Sequence, residues 1–288
     1  MGVGEAELIL VGAAQTYRMA LGDRLVAAYA LGSLAHGGFS ELVSDIDLGL
    51  ILSDPPRPDD AEVIQAVAEA EKRQGSRLRQ RLSVFWGTPT TLRGMRDGGR
   101  FPALDRLDLI ENGRLLLGSD AREGLSRPTA DELLIAGAEF ALDYLAGLRS
   151  DPQAAQNLAS MRRAGADSAE KIRSPQVLLG LGVRELTKFV LFPVRFLFSA
   201  RTGRVGTNHD AVSDYLEDAN APSRTLVKSA LAWRTVPPAD QAATVELLGN
   251  EMLPLYLHYV DDHIQRLDGL GEHELASEFR QWRDRLIG

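Results

Sequence analysis

"GSLAHGGFSELVSDIDLGLIL" (residues 32–52) is the stretch whose reading decides the fold. An apolar run, RLVAAYAL at residues 24–31, ends at Gly32-Ser33. A glycine-rich loop then leads to Asp45-Ile46-Asp47, at the mouth of a second apolar run, IDLGLIL at residues 46–52. Both runs are short and bounded by turn residues, so both read as buried strands. Residues i and i+2 of a strand point to one side, so Asp45 and Asp47 face a common spot. Two neighbouring carboxylates resist ionising together unless a cation lies between them. Mg²⁺ suits such a site, since it is usually held by one or two carboxylates plus substrate phosphates. Gly32 permits a sharp turn and a close approach of backbone to ligand. Ser33 offers a hydroxyl and an N–H at the start of a short helix, and helix N-termini bind phosphate. Together these features predict a cradle for a nucleoside triphosphate with its Mg²⁺.

Working outward, residues 5–21 read as an amphipathic helix and residues 61–73 as another, begun by the Pro- and Asp-rich SDPPRPDD at 53–60. RLSVFW at 81–86 is a third strand candidate. TPTTLRGM starts a helix with Pro in its first turn. Residues 104–120 read as a short helix, a turn at Asn112-Gly113 and a short strand. Beyond residue 125 strand signals vanish. Thr129 with Glu132 three residues on forms a capping pattern. Helical stretches follow near 154–172, 176–201, 209–219, 222–235, 239–267 and 272–286, with Pro193 expected to kink or interrupt the second. The expected fold class is α+β: a small mixed-sheet domain at 1–122 followed by an all-helical domain at 123–288. A cleft between such domains is the default ligand site.

The 288 residues carry a net charge of −8, 44% hydrophobic residues and no cysteine. Disulfides, thiolate metal sites and cysteine nucleophiles are thereby excluded. An acidic chain is a poor duplex-DNA binder, because phosphate contacts need a positive face. No apolar run is long enough to cross a membrane and no signal-like leader opens the chain, so a cytoplasmic, membrane-free protein is expected. His258 and His263 lie five apart, a poor spacing for shared metal ligation, and read as part of a surface helix. Trp86, Trp233 and Trp282 read as core or interface residues, and His36 as an exposed loop residue.

Gly-Ser, a short loop and Asp-x-Asp on the next strand resemble the nucleotidyltransferase signature of the DNA polymerase β superfamily. The order of domains, and FPVRFLFSARTGRVGTNHDAVSDYLE at 192–217, resemble the aminoglycoside adenylyltransferases that modify streptomycin and spectinomycin. The resemblance implies transfer of a nucleoside monophosphate, AMP from ATP, to a hydroxyl of a small-molecule acceptor such as an antibiotic. Asp45, Asp47 and Ser33 would be catalytic, with Mg²⁺ on Asp45 and Asp47 and the triphosphate on Gly32 and Ser33. Arg195 matches a phosphate-holding arginine of that family. Asn208 falls where the family has a second basic residue, with Lys188, Arg201 or Arg204 available to compensate. The family's third carboxylate, a glutamate on the next strand, is replaced by Ser83, and serine is no base at neutral pH without help. Either the base comes from the helical domain, where Glu139, Asp143 or Glu185 could reach the substrate, or transfer runs without a dedicated base. In a further alternative the protein is a nucleotide-binding regulatory or toxin–antitoxin-like module, inactive or acting on tRNA or a protein.

Overall fold

A computed structural model describes residues 2–94, 98–148 and 168–288. The chain forms two compact units, Met1–Pro128 and Thr129–Gly288. The first is α+β, with a mixed four-stranded sheet, and the second is all-helical.

In the first unit, α1 (Gly2–Leu21) leads into β1 (Leu25–Leu31), α2 (Gly32–His36) and β2 (Ile46–Leu52). Then come α3 (Asp60–Arg73), β3 (Leu82–Gly87), α4 (Pro89–Leu92), α5 (Ala103–Asn112) and β4 (Arg114–Gly118). The sheet order is β3-β2-β1-β4. β1 pairs antiparallel with β2 and β4, while β2 and β3 are parallel. Side-chain alternation gives the sheet two apolar faces. Ala28, Ala30, Leu48, Leu50 and Val84 pack with Leu10, Ala13 and Tyr17 of α1 and Ile64 of α3. Ala27, Tyr29, Leu31, Ile51 and Phe85 pack with Leu92 of α4 and Leu109 of α5. Helices therefore cover both faces, which is why β1 and β2 read as continuous apolar runs rather than alternating ones. Residues 123–128 belong with this unit: Arg93 Nε donates to the Gly124 carbonyl at 3.0 Å, and Arg127 is ion-paired with Glu111.

The second unit holds α6 (Ala130–Tyr144), α7 (Ser168–Arg173), α8 (Pro175–Gly180), α9 (Val183–Thr202), α10 (Asn208–Glu217), α11 (Arg224–Trp233), α12 (Gln241–Leu270) and α13 (His273–Ile287). The helix expected near 154–172 lies, up to residue 167, outside the described residues. Thr129 caps α6 in a full capping box with Glu132, as the sequence predicts. Pro193, expected to kink or interrupt the helix, does not interrupt it: α9 runs through Pro193. The interruption comes earlier: α8 ends at Gly180, and Gly182, with φ +90°, is the N-cap from which α9 starts. Pro193 has no N–H for the carbonyl of Phe189 four residues back. The Tyr256 hydroxyl of α12 donates to that carbonyl at 2.8 Å, so the helix continues with its acceptor satisfied. His263 also departs from expectation. It is fully buried on α12, 4.3 Å from the Tyr259 ring and stacked on Phe279. Trp233 and Trp282 are core residues as expected. Among the described residues, no helix is long and apolar enough to cross a membrane.

Candidate active site

Asp45 and Asp47 stand at the start of β2, both half-buried. The loop that delivers them is pinned from below. Ser44 N–H donates to Ser40 O at 2.8 Å, Ser40 N–H to Ser44 Oγ at 2.9 Å, and Arg81 Nη1 to Glu41 O at 2.7 Å. Asp47 is the ladder partner of Leu31 on one side and of Ser83 on the other. Partnered residues project from the same face, so Ser83 lies beside Asp47 where a third carboxylate was expected.

Gly32 follows Leu31 and turns the chain with φ +59°. A Cβ here would collide with Asp47 Oδ2 and lie 3.3 Å from its Cγ. The glycine of the Gly-Ser pair is thus in contact with the second acid of the Asp-x-Asp pair. Ser33 is the second, half-buried residue of α2. That helix has five residues, too few for much of a macrodipole, so what Ser33 offers an anion is its own hydroxyl and N–H. His36 closes α2, with Nδ1 3.1 Å from Gly37 O.

Four residues that sequence reasoning did not weigh bear on this centre by contact or by charge. Asp108 of α5 is buried at 5% exposure. Its Oδ2 accepts the Gly32 N–H at 2.6 Å and its Oδ1 accepts Asn112 Nδ2 at 3.0 Å. Asp105, one turn earlier, acts electrostatically on Arg100. Arg100 pairs its backbone with Trp86 at the outer edge of β3, and its Nη1 donates to Val84 O at 2.5 Å. Its Cζ lies 4.5 Å above the Phe85 ring. Burial pushes the Arg100 pKa down, against the pull of Asp105 and Asp47. Lys72, half-buried in the last turn of α3, is likewise pushed down by burial and by the like charge of Arg100, against the pull of Glu69 and Asp45. The sequence signal was present in part. Asp105, Asp108 and Asn112 are spaced i, i+3, i+7, a polar stripe on a helix that also buries Leu107 and Leu109.

The remaining predicted residues belong to the second unit. Arg195 is half-buried on α9. The Arg234 pKa, at the end of α11, is lowered by burial and then by the charge of Arg195. Asn208 is the first residue of α10, behind the Thr207 cap. Arg201 donates to Asp214 Oδ2 at 2.6 Å, and Lys188 lies buried, its Nζ 5.9 Å from the Phe192 ring centroid. Glu139 is exposed and Asp143 half-buried, both on α6. Glu185 accepts the Tyr144 hydroxyl at 2.6 Å and Arg184 Nη1 at 2.5 Å. Its charge is already met within the unit.

Asp45 and Asp47 suit a hard cation by donor chemistry. Among the described residues no group of three or more His, Asp or Glu side chains converges as a metal site. Two carboxylates fit a hard cation such as Mg²⁺ that takes its other ligands from elsewhere.

No protein-family model and no curated protein sequence matches the chain. Among solved structures it matches spectinomycin adenyltransferase AAD(9) from Enterococcus faecialis, crystallised with ATP and spectinomycin. The match covers 85% of this chain and 98% of that one, with TM-score 0.53. The chain shares the overall fold of that adenyltransferase. At 12% identity the likeness is one of fold, and what the neighbour binds is a property of the neighbour.

Proposed function

We propose that the chain is a Mg²⁺-dependent nucleotidyltransferase. It moves a nucleoside monophosphate, AMP from ATP, to a hydroxyl of a small-molecule acceptor and releases pyrophosphate. The observation that carries this reading is the contact of the Gly32 backbone with Asp47, inside the fold of an adenyltransferase. The glycine turn after β1 and the carboxylate pair of β2 meet at one point of one sheet, which supports reading the turn as a phosphate cradle.

Gly32 and Ser33 hold the triphosphate by backbone and hydroxyl. Asp45 and Asp47 hold the cation, and Arg195 and Asn208 contribute further nucleotide contacts. When bound, Mg²⁺ would neutralise phosphate charge and stabilise the pyrophosphate as it leaves. The acceptor oxygen attacks the α-phosphorus, the bond to the bridging oxygen breaks, and the hydroxyl proton passes to a carboxylate or to water. Ser83 cannot take that proton. Missing a dedicated base lowers turnover by about 10² to 10⁴ without abolishing transfer. Glu139, Asp143 and Glu185 are the acids proposed to meet a cationic, aminoglycoside-like acceptor, with Glu185 the least available of the three.

Ser83 also favours the second reading, in which the module binds nucleotide and regulates, or modifies tRNA or a protein. One experiment separates the two. The chain is incubated with MgATP and a panel of aminoglycosides and amino alcohols, and the acceptors are weighed by mass spectrometry. The first reading expects an adenylyl adduct on one class of acceptor, lost in Asp45→Asn. MgATP binding with no adduct on any small molecule would contradict it.

A further inference from the structure

We propose that Asp108 is the positioning residue of the nucleotide site, a role that rests on the nucleotidyltransferase reading. From α5 it anchors the Gly32 N–H and so sets where the Gly32–Ser33 turn stands against Asp47.

Leu31 precedes α2 and has no polar side chain with which to cap it. The donors that open a helix are ordinarily met by a side chain close in sequence or by water. Here the Gly32 N–H is met from 76 positions away, by Asp108 Oδ2 at 2.6 Å. Bonds from a backbone N–H to a carboxylate are among the stronger ones. The second oxygen is held in turn. Oδ1 accepts Asn112 Nδ2 at 3.0 Å, from one turn further along the same face of α5. The carboxylate is therefore oriented from both ends.

Gly32 in its turn is gripped on two sides. Its N–H is on Asp108, and the space a Cβ would fill is taken by Asp47, whose Cγ would lie 3.3 Å from it. Its φ of +59° admits little else than glycine. Any shift of the Gly32 amide moves the next residue, Ser33, and the clearance from Asp47 together. One bond from α5 thus controls the spacing between the residue that offers donors to phosphate and the carboxylate that offers oxygens to the cation. With its N–H taken, Gly32 serves the phosphates by the close approach of its backbone, and Ser33 supplies the donors. Asp108 is only 5% exposed and both its oxygens are bonded, so it acts through Gly32 and not on the nucleotide.

The test reads the site and the anchor separately on the full chain. Calorimetric titration with Mg²⁺ and a non-hydrolysable ATP analogue reads the site. Hydrogen exchange at the Gly32 amide, followed by NMR, reads the anchor. Asp108→Ala should speed Gly32 exchange and weaken analogue binding about tenfold, the equivalent of one lost bond to a charged group. Asp108→Asn keeps an acceptor for Gly32, and the Asn112 amide can reverse to meet the new Nδ2. Its affinity should stay within about threefold of the wild type. Tyr17→Phe is the control for lost stability, since it removes a buried bond to the Ile64 carbonyl in the cluster on the other face of the sheet. It should melt earlier and bind the analogue as the wild type does. An Asp108→Ala variant that melts earlier yet binds at wild-type affinity would overturn the proposal. So would an Asp108→Asn variant that binds as weakly as Asp108→Ala, because the anchor would then not be what matters. If Asp108→Ala does not fold, Asn112→Ala carries the test: faster Gly32 exchange should come with weaker binding, and faster exchange at unchanged affinity overturns the role. A wild type that binds no Mg²⁺–analogue would overturn the nucleotidyltransferase reading and the role with it. A Gly32 amide that exchanges no more slowly in the wild type than in Asp108→Ala would overturn the anchor alone.

Discussion

At Gly32 two constraints coincide: a left-handed φ of +59° and the absence of room for a Cβ beside Asp47. An L side chain in that region costs roughly 1–2 kcal/mol before any collision. Gly32→Ala should therefore lower stability by at least about that amount and displace Asp47. Thermal melting and titration with the Mg²⁺–ATP analogue check both effects. Asp108 is a quieter partner of the same turn. In Asp108→Ala the Gly32 N–H and Asn112 Nδ2 lose their acceptor, at a cost of about 1–3 kcal/mol. Asp108→Asn, which keeps an acceptor oxygen, should cost less, as denaturant unfolding would register. Ser83→Glu adds a third carboxylate next to Asp47 and should tighten free Mn²⁺ binding in calorimetry. Much of this residue-level picture was legible in advance. The spacing of Asp45 and Asp47 fixes their common side, and the Gly-Ser pair announces the turn. Asp108 was legible only as one position of a polar stripe on α5, and Arg100 not at all, because the tertiary approach of α5 and of the β3 edge brings them to the site and no local pattern encodes that approach.

Elements were read best where local chemistry and tertiary packing agree. β2 occupies residues 46–52 as predicted, since IDLGLIL has both the composition of a buried strand and turn residues at its ends. The Thr129–Glu132 box sets the start of α6 for a similarly local reason. Pro193 is the opposite case. Locally it should break α9, but a hydroxyl from Tyr256 on a distant helix supplies the missing donor. Tyr256→Phe should leave the Phe189 carbonyl buried without that donor and destabilise the helical unit by about 1–3 kcal/mol, measured by urea unfolding. Gly182, between the end of α8 and the start of α9, carries the positive φ that a glycine permits.

For the molecule as a whole, α+β followed by helices was legible from the disappearance of strand signals after residue 125. The burial of His263 was not, because polar neighbours in sequence disguised a core position. That burial has a consequence for stability. It pushes the His263 pKa below 6.5 in the folded chain, although Asp262 pulls the other way. Burial also pushes Asp262 up, but its bonds to His263 and Arg266 outweigh this and hold the carboxyl at about 2, below its ordinary 3.8. Both groups are depressed on folding, so the unfolded chain binds more protons in acid. Their stabilisation is complete above pH 6.5. It declines below that value as His263 protonates in the unfolded chain, and falls again from 3.8 toward 2 with Asp262. Urea midpoints should decrease as pH drops through 6.5, and His263→Gln should flatten that first decline. The central claim, nucleotidyl transfer at Asp45 and Asp47, is met most directly by pyrophosphate release from MgATP across a panel of hydroxylated acceptors. The account expects release that requires one class of acceptor and disappears in Asp47→Asn. Acceptor-dependent release that persists undiminished in a folded Asp47→Asn variant, or none from a wild type that binds MgATP, would contradict it.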